Sequence, residues 1–138
     1  MSLVNRESSG VALIFNGNVL LAKRVEEWKG KPLPYGGYWS IFGGSMEEGE
    51  SPSVCAAREL EEEAKINCNE NDLIFIKSFV ENGNRFHFHI LEVKELLIPQ
   101  LNEEHTASGW YKINSLNSFT EKIDKKIIKC LEIYCKNV

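Results

Sequence analysis

Residues 44–66 read Gly44-Ser-Met-Glu-Glu-Gly-Glu-Ser-Pro-Ser-Val-Cys-Ala-Ala-Arg-Glu-Leu-Glu-Glu-Glu-Ala-Lys-Ile66, GSMEEGESPSVCAARELEEEAKI, and hold seven glutamates. From Ser51 onward the pattern is helical. Ser51 is a capping residue type, Pro52 suits a first turn, and Val54, Ala57, Leu60 and Ala64 recur along one stripe, so the spacing predicts a helix over residues 51–65. On that helix Glu59, Glu62 and Glu63 stand at i, i+3 and i+4, which projects their carboxylates from one face, roughly opposite the apolar stripe. Like charges at this spacing repel by ~0.2 to 0.5 kcal/mol per pair. They also occupy the half of the helix whose dipole favours cations.

The plainest reading is a solvated acidic face, but two neighbours argue for more. Arg58 sits beside the cluster, where it can fix a carboxylate rotamer, and a glycine-rich loop carrying Glu50 leads into the helix. Hard divalent cations take oxygen ligands, so several carboxylates on one face point to a Mg²⁺ or Mn²⁺ site completed by substrate phosphates. The D-x-D-x-D-G loop of a calcium-binding EF-hand is absent.

The stretch resembles the Nudix box: Gly, five residues, Glu, seven residues, Arg-Glu, an aliphatic residue, any residue, Glu-Glu, any residue, Gly and an aliphatic residue. Gly44, Glu50, Arg58, Glu59, Leu60, Glu62, Glu63 and Ile66 fall in place. Two positions depart: Phe42 stands where many relatives have proline, and Lys65 replaces the glycine past the proposed metal ligands, where a left-handed turn ends the helix. Lysine in that turn is expected to cost ~1 kcal/mol, or else to pass the turn to Asn67.

The resemblance covers most of the chain, is similar to the MutT-like branch, and implies Mg²⁺-dependent hydrolysis of a nucleoside diphosphate linked to another moiety. Nucleoside triphosphates lead as substrate, with ADP-ribose and dinucleotides as the alternative. It implies Glu59, Glu62 and Glu63 as metal ligands together with the Gly43 carbonyl. Glu50 and Arg58 become orienting residues and Arg24 a phosphate contact. For the general base it points to Glu104, six residues before Trp110, with Glu103 or Glu63 as alternatives. The competing class is a non-catalytic Nudix-fold nucleotide sensor. Such a module should have lost box carboxylates, and this chain keeps them all.

Outward from the box, apolar runs at 11–15 and 19–22 flank Asn16-Gly17-Asn18, and runs at 73–80 and 86–93 flank another Asn-Gly; both read as hairpins. Residues 25–38, with two prolines and three glycines, read as an irregular loop, and 39–42 and 110–113 as short strands. Residues 120–134 carry an apolar stripe through Ile123, Ile127, Ile128, Leu131 and Tyr134, which predicts an amphipathic helix. Trp28, Tyr35 and Tyr38 are aromatic enough to stack on a base but read as loop cover. His87 and His89 share one strand face, which reads as a half-exposed surface rather than a metal site. The order predicts an α/β (α+β) Nudix fold, a mixed β-sheet sandwiched between α-helices, in a single domain over residues 1–138.

With 138 residues and 43% hydrophobic content the chain closes one core, and a net charge of −4 disfavours nucleic acid polymers and anionic membranes as partners. The expected partner is a nucleotide or another nucleoside-diphosphate-linked small molecule. Cys55, Cys68, Cys130 and Cys135 form no C-x-x-C pair, and no run approaches the ~18 apolar residues that span a bilayer, so a soluble cytoplasmic protein with reduced thiols is expected.

Overall fold

β1 (Arg6–Phe15) is the strand on which the sheet assembles. Along one edge it runs parallel to β8 (Asn84–Glu92), from Arg6↔Asn84 to Ile14↔Glu92. Its other edge is shared: the first half pairs antiparallel with β6 (Phe42–Ser45), and the far end pairs with β2 (Asn18–Arg24) through Ile14↔Val19. β2 also carries β9 (His105–Lys112) and the two-residue β5 (Trp39–Ser40), while β7 (Ile74–Glu81) pairs with β8 at the opposite edge. The computed structural model describes residues 4–136, so the extreme ends of the expected 1–138 domain lie outside the described residues.

Period-two alternation on β1 explains the layers. Val11 and Leu13 face α1 (Pro52–Ala64) in a cluster with Leu20, Phe42, Ala56, Leu60 and Ala64. Ala12 and Ile14 face the opposite side, packing with Leu21, Phe88, Ile90 and the Ile127, Ile128 and Leu131 stripe of α2 (Lys125–Lys136). The result is the expected mixed sheet with a helix on each face. Among the described residues no helix is long and apolar enough to cross a membrane.

Both Asn-Gly turns form, with Asn16 and Gly17 at φ 49° and 77° and Asn82 and Gly83 at 51° and 78°. Elsewhere the boundaries move. Residues 25–38 contain a small ribbon, β3 (Glu27–Trp28) paired with β4 (Lys31–Pro32), and the expected strand at 39–42 is broken at Ile41 into β5 and β6. β9 begins at His105, not 110, because pairing with β2 holds residues whose own apolar pattern is weak. The last helix starts at Lys125, not 120. The preceding backbone is already used: Trp39 N–H donates to Lys122 O, Asp124 N–H donates to Trp39 O, and Asp124 Oδ1 caps the helix by accepting from Lys126 N–H. Short 3₁₀ segments at Glu70–Asp72 and Ile113–Ser118 complete the path.

α1 begins and ends close to expectation. Ser51 accepts from Val54 N–H, and Lys65 itself adopts the left-handed conformation (φ 57°, ψ 36°) rather than passing it to Asn67. Its ammonium is 3.7 Å from Glu61, an exposed pair that contributes little. Lys65→Gly is therefore expected to raise stability by up to about 1 kcal/mol in urea denaturation, with the helix content unchanged by circular dichroism. A loss of stability would show that the side chain contributes more than the strained turn costs.

Candidate active site

Arg58 organises the acidic face. Its Nε and Nη2 donate to Glu50 at 2.7 and 3.0 Å in a bidentate pair, Nη1 donates to Glu59 at 3.0 Å and Glu62 at 3.2 Å, and Nη2 also reaches the Ser45 carbonyl at 3.0 Å. These carboxylates hold its pKa above the ordinary arginine value, the Glu50 hydrogen bonds most of all. In turn the guanidinium pulls Glu50 down to about 2, helped by the Glu47 N–H that donates to it at 2.9 Å.

The three glutamates do not share one environment. Glu62 remains exposed, but Glu63 is only 2% exposed, which departs from the expected outward face. Burial, a hydrogen bond to Glu59 and the charges of Glu59 and Glu104 push the Glu63 carboxyl well above the ordinary range, against the Gly43 N–H that donates to it at 3.1 Å. Glu59, Glu63 and Glu104 therefore lie within electrostatic reach of one another. Among the described residues no three side chains are already gathered about one ion position; Arg58 Nη1 sits between Glu59 and Glu62 instead.

The glycines of β6 make this closeness possible. A Cβ on Gly44 would fall 2.5 Å from the Glu59 carboxyl carbon, and one on Gly43 would meet Ser9 O at 2.7 Å and Gly10 Cα at 2.8 Å. Only glycine lets the strand lie against both the carboxylate and β1.

Glu104 comes from a loop that the sequence leaves open and the structure fastens down. Gln100 N–H donates to Ala64 O at 2.9 Å, Asn102 N–H to Glu63 O and Asn102 Nδ2 to Glu62 O, each at 3.3 Å, which satisfies carbonyls that the end of α1 leaves unpaired. Asn102 Oδ1 then accepts from Glu104 N–H, and Glu104 O accepts from Val25 N–H. Glu103 is exposed. Gln100 and Asn102 carried no sequence signal, because their partners are main-chain carbonyls distant in sequence.

Arg24, at the end of β2, lines a cavity of about 320 Å³ together with Gly43, Gly44, Tyr35, Tyr38 and His105, while Lys23 points away to Glu121 at 3.3 Å. Trp28 does not line the cavity; it lies under Lys29. Burial and the Arg24 charge lower His105 to about 4, so its ring is neutral near pH 7. His87 and His89 differ from the expected half-exposed pair. His89 is buried, with Nδ1 hydrogen-bonded to Gly10 O, and His87 lies between Ser78 and Glu7, so neither is set up as a metal ligand. Cys55, beneath the box loop, has its thiol pushed up to about 12 by burial and offers no ready nucleophile.

A family profile described as NUDIX domain matches residues 4–131. The chain is 39% identical over 106 residues to a Myxococcus xanthus protein described as an octanoyltransferase, covering 69% of this chain and 26% of that protein, so it spans about a quarter of that curated relative's length. Among solved structures it resembles the MutT protein from Methanosarcina mazei Go1 (TM-score 0.73, 20% identity, 96% of this chain and 94% of that one). It also resembles the dihydroneopterin triphosphate pyrophosphohydrolase of E. coli (TM-score 0.72, 19% identity, all of both chains). At these identities the structural likeness carries the fold.

The Glu50–Arg58 pair yields a stability test with a defined sign. Because the folded carboxyl titrates near about 2 instead of 4.5, its contribution is complete above 4.5 and is lost as pH falls toward 2. Glu50→Gln is expected to lower the melting temperature at neutral pH, with the gap to wild type narrowing as pH drops from about 5 toward about 3. A gap independent of pH would show that the ion pair is not the source.

Proposed function

The chain belongs to the NUDIX family, and we propose that it is a divalent-metal-dependent pyrophosphohydrolase that cuts the phosphate chain of a nucleoside triphosphate held beside Gly43 and Gly44. The observation that carries this reading is the convergence of Glu59, Glu63 and Glu104 at β6, at the edge of a cavity whose wall includes Arg24. A cavity of about 320 Å³ is within the size range of small-ligand sites.

The donor chemistry fits a hard cation. Glu59, Glu62 and Glu63 offer carboxylate oxygens and Gly43 a carbonyl, and Gly44 leaves the Glu59 carboxylate a cradle that any larger residue would fill. A bound Mg²⁺ or Mn²⁺ would supply positive charge to the phosphate oxygens and to the attacking water. Arg58, held by Glu50, limits the rotamers of Glu59 and Glu62. Glu104 takes the proton from water, its backbone fixed through Asn102 to the end of α1; the more enclosed Glu63 donates no proton in this scheme. Arg24 meets a phosphate oxygen from the cavity side. The chain would act as one cytoplasmic catalytic domain on a small nucleotide, with neither a nucleic acid polymer nor a membrane as partner.

The test is a panel of nucleoside triphosphates, oxidised forms included, alongside ADP-ribose, each with Mg²⁺ or Mn²⁺ and products resolved by chromatography. Pyrophosphate release from a triphosphate is expected, and Glu63→Gln is expected to lower kcat at least about 100-fold without loss of folded stability. Comparable turnover in excess chelator, or near wild-type kcat in Glu63→Gln, would overturn the reading.

A further inference from the structure

Two buried side-chain atoms among the described residues lack a hydrogen-bond partner, Arg24 Nε and His105 Nδ1. They belong to neighbouring positions. Arg24 of β2 pairs with His105 of β9 at the point where the ladder shifts register, both residues line the same cavity, and the Arg24 charge is close enough to act on the ring. Residues opposed across an antiparallel ladder present their side chains to one face. His105 also packs edge-on against Phe42, at 5.3 Å between ring centres, which places it at the start of the glycine strand. Folded proteins seldom leave buried polar atoms unpaired, and here the two unpaired atoms belong to paired residues that line one cavity, where one outside partner would serve both.

We propose that His105 is a substrate-contacting residue, its Nδ1–H and the Arg24 Nε–H together holding one oxygen of the nucleotide's phosphate chain. Arg24 supplies the charge and His105 a second, directional donor. This requires the ring tautomer with hydrogen on Nδ1. Both atoms are buried although both residues line the cavity, so contact asks for a side-chain rotation. An oxygen acceptor is favoured over a base edge because the Arg24 Nε–H is only a donor and brings a positive charge. The inference rests on the nucleotide reading above and adds to it a residue outside the acidic helix.

Asparagine places its amide nitrogen near the position of Nδ1, and glutamine near that of Nε2. His105→Ala and His105→Gln are expected to raise KM at least about tenfold with kcat within about threefold, while His105→Asn recovers most of the loss. A purely structural role would instead change melting temperature and would not separate asparagine from glutamine. A readout independent of turnover is ¹⁵N-histidine NMR on the wild-type chain, titrated without metal with inorganic pyrophosphate and with an α,β-imido deoxyguanosine triphosphate. The His105 Nδ1–H signal is expected to move as either ligand saturates. Unchanged KM in His105→Ala, saturation at other resonances with His105 unmoved, or no ligand-dependent shift at any resonance would overturn the proposal. If no nucleotide is hydrolysed but the His105 signal still moves, the catalytic reading fails and the binding contact stands.

Discussion

A single guanidinium holds the acidic face together. Without Arg58, the carboxylates of Glu50, Glu59 and Glu62 would repel one another across the loop and the helix; with it, they share one cation through five charge-assisted hydrogen bonds. Arg58 also donates to the Ser45 carbonyl, so the same group ties the helix to the end of β6. The charge arrangement and the strand position are therefore not independent. A side chain with one compact charge, such as lysine, would lack the fork that reaches Glu50 and Glu59 at once.

Close backbone approach is the second constraint. Gly10 and Gly43 face one another across the β1–β6 ladder, and a Cβ on Gly10 would meet Phe42 O at 2.5 Å. Gly44 then meets the Glu59 carboxylate. This run of glycines brings the sheet, the helix and the buried Glu63 close enough for a main-chain N–H to reach a carboxylate. β1 is the common support: one half of its edge carries β6 and the cluster, and the other half carries β2, which ends in Arg24 and the cavity.

Much of this was legible because it depends on spacing along one element. Helical period brought Arg58, Glu59, Glu62 and Glu63 together, and Asn-Gly dipeptides specified both hairpins through their tolerance of positive φ. What escaped depends on partners distant in sequence. The burial of Glu63 comes from β6 and the loop before β9, not from its place on a helical wheel. The late start of α2 follows from the pairing of Ile123 and its neighbours with Trp39, which no local propensity reports. Lys65 shows the converse: a residue poorly suited to the left-handed region occupies it because the surrounding fold fixes where the helix stops.

The clasp between residues 100–102 and the last turn of α1 divides the connection from β8 to β9 into two unequal parts. Upstream, the chain from Val93 to Gln100 is anchored only at its ends and by scattered contacts such as Trp110 Nε1–H to Leu97 O, and Ile98 stands almost fully in solvent. Downstream, the few residues from Asn102 to His105 run between fixed points, the end of the helix and the start of the strand. Length variation should therefore be absorbed upstream of Gln100, where added residues only lengthen a surface excursion. A single insertion between Asn102 and His105 would rotate Glu104 and His105 out of phase with everything they face. In this part of the chain the site is set by counting residues from the helix end, much as a ruler is read from its zero mark.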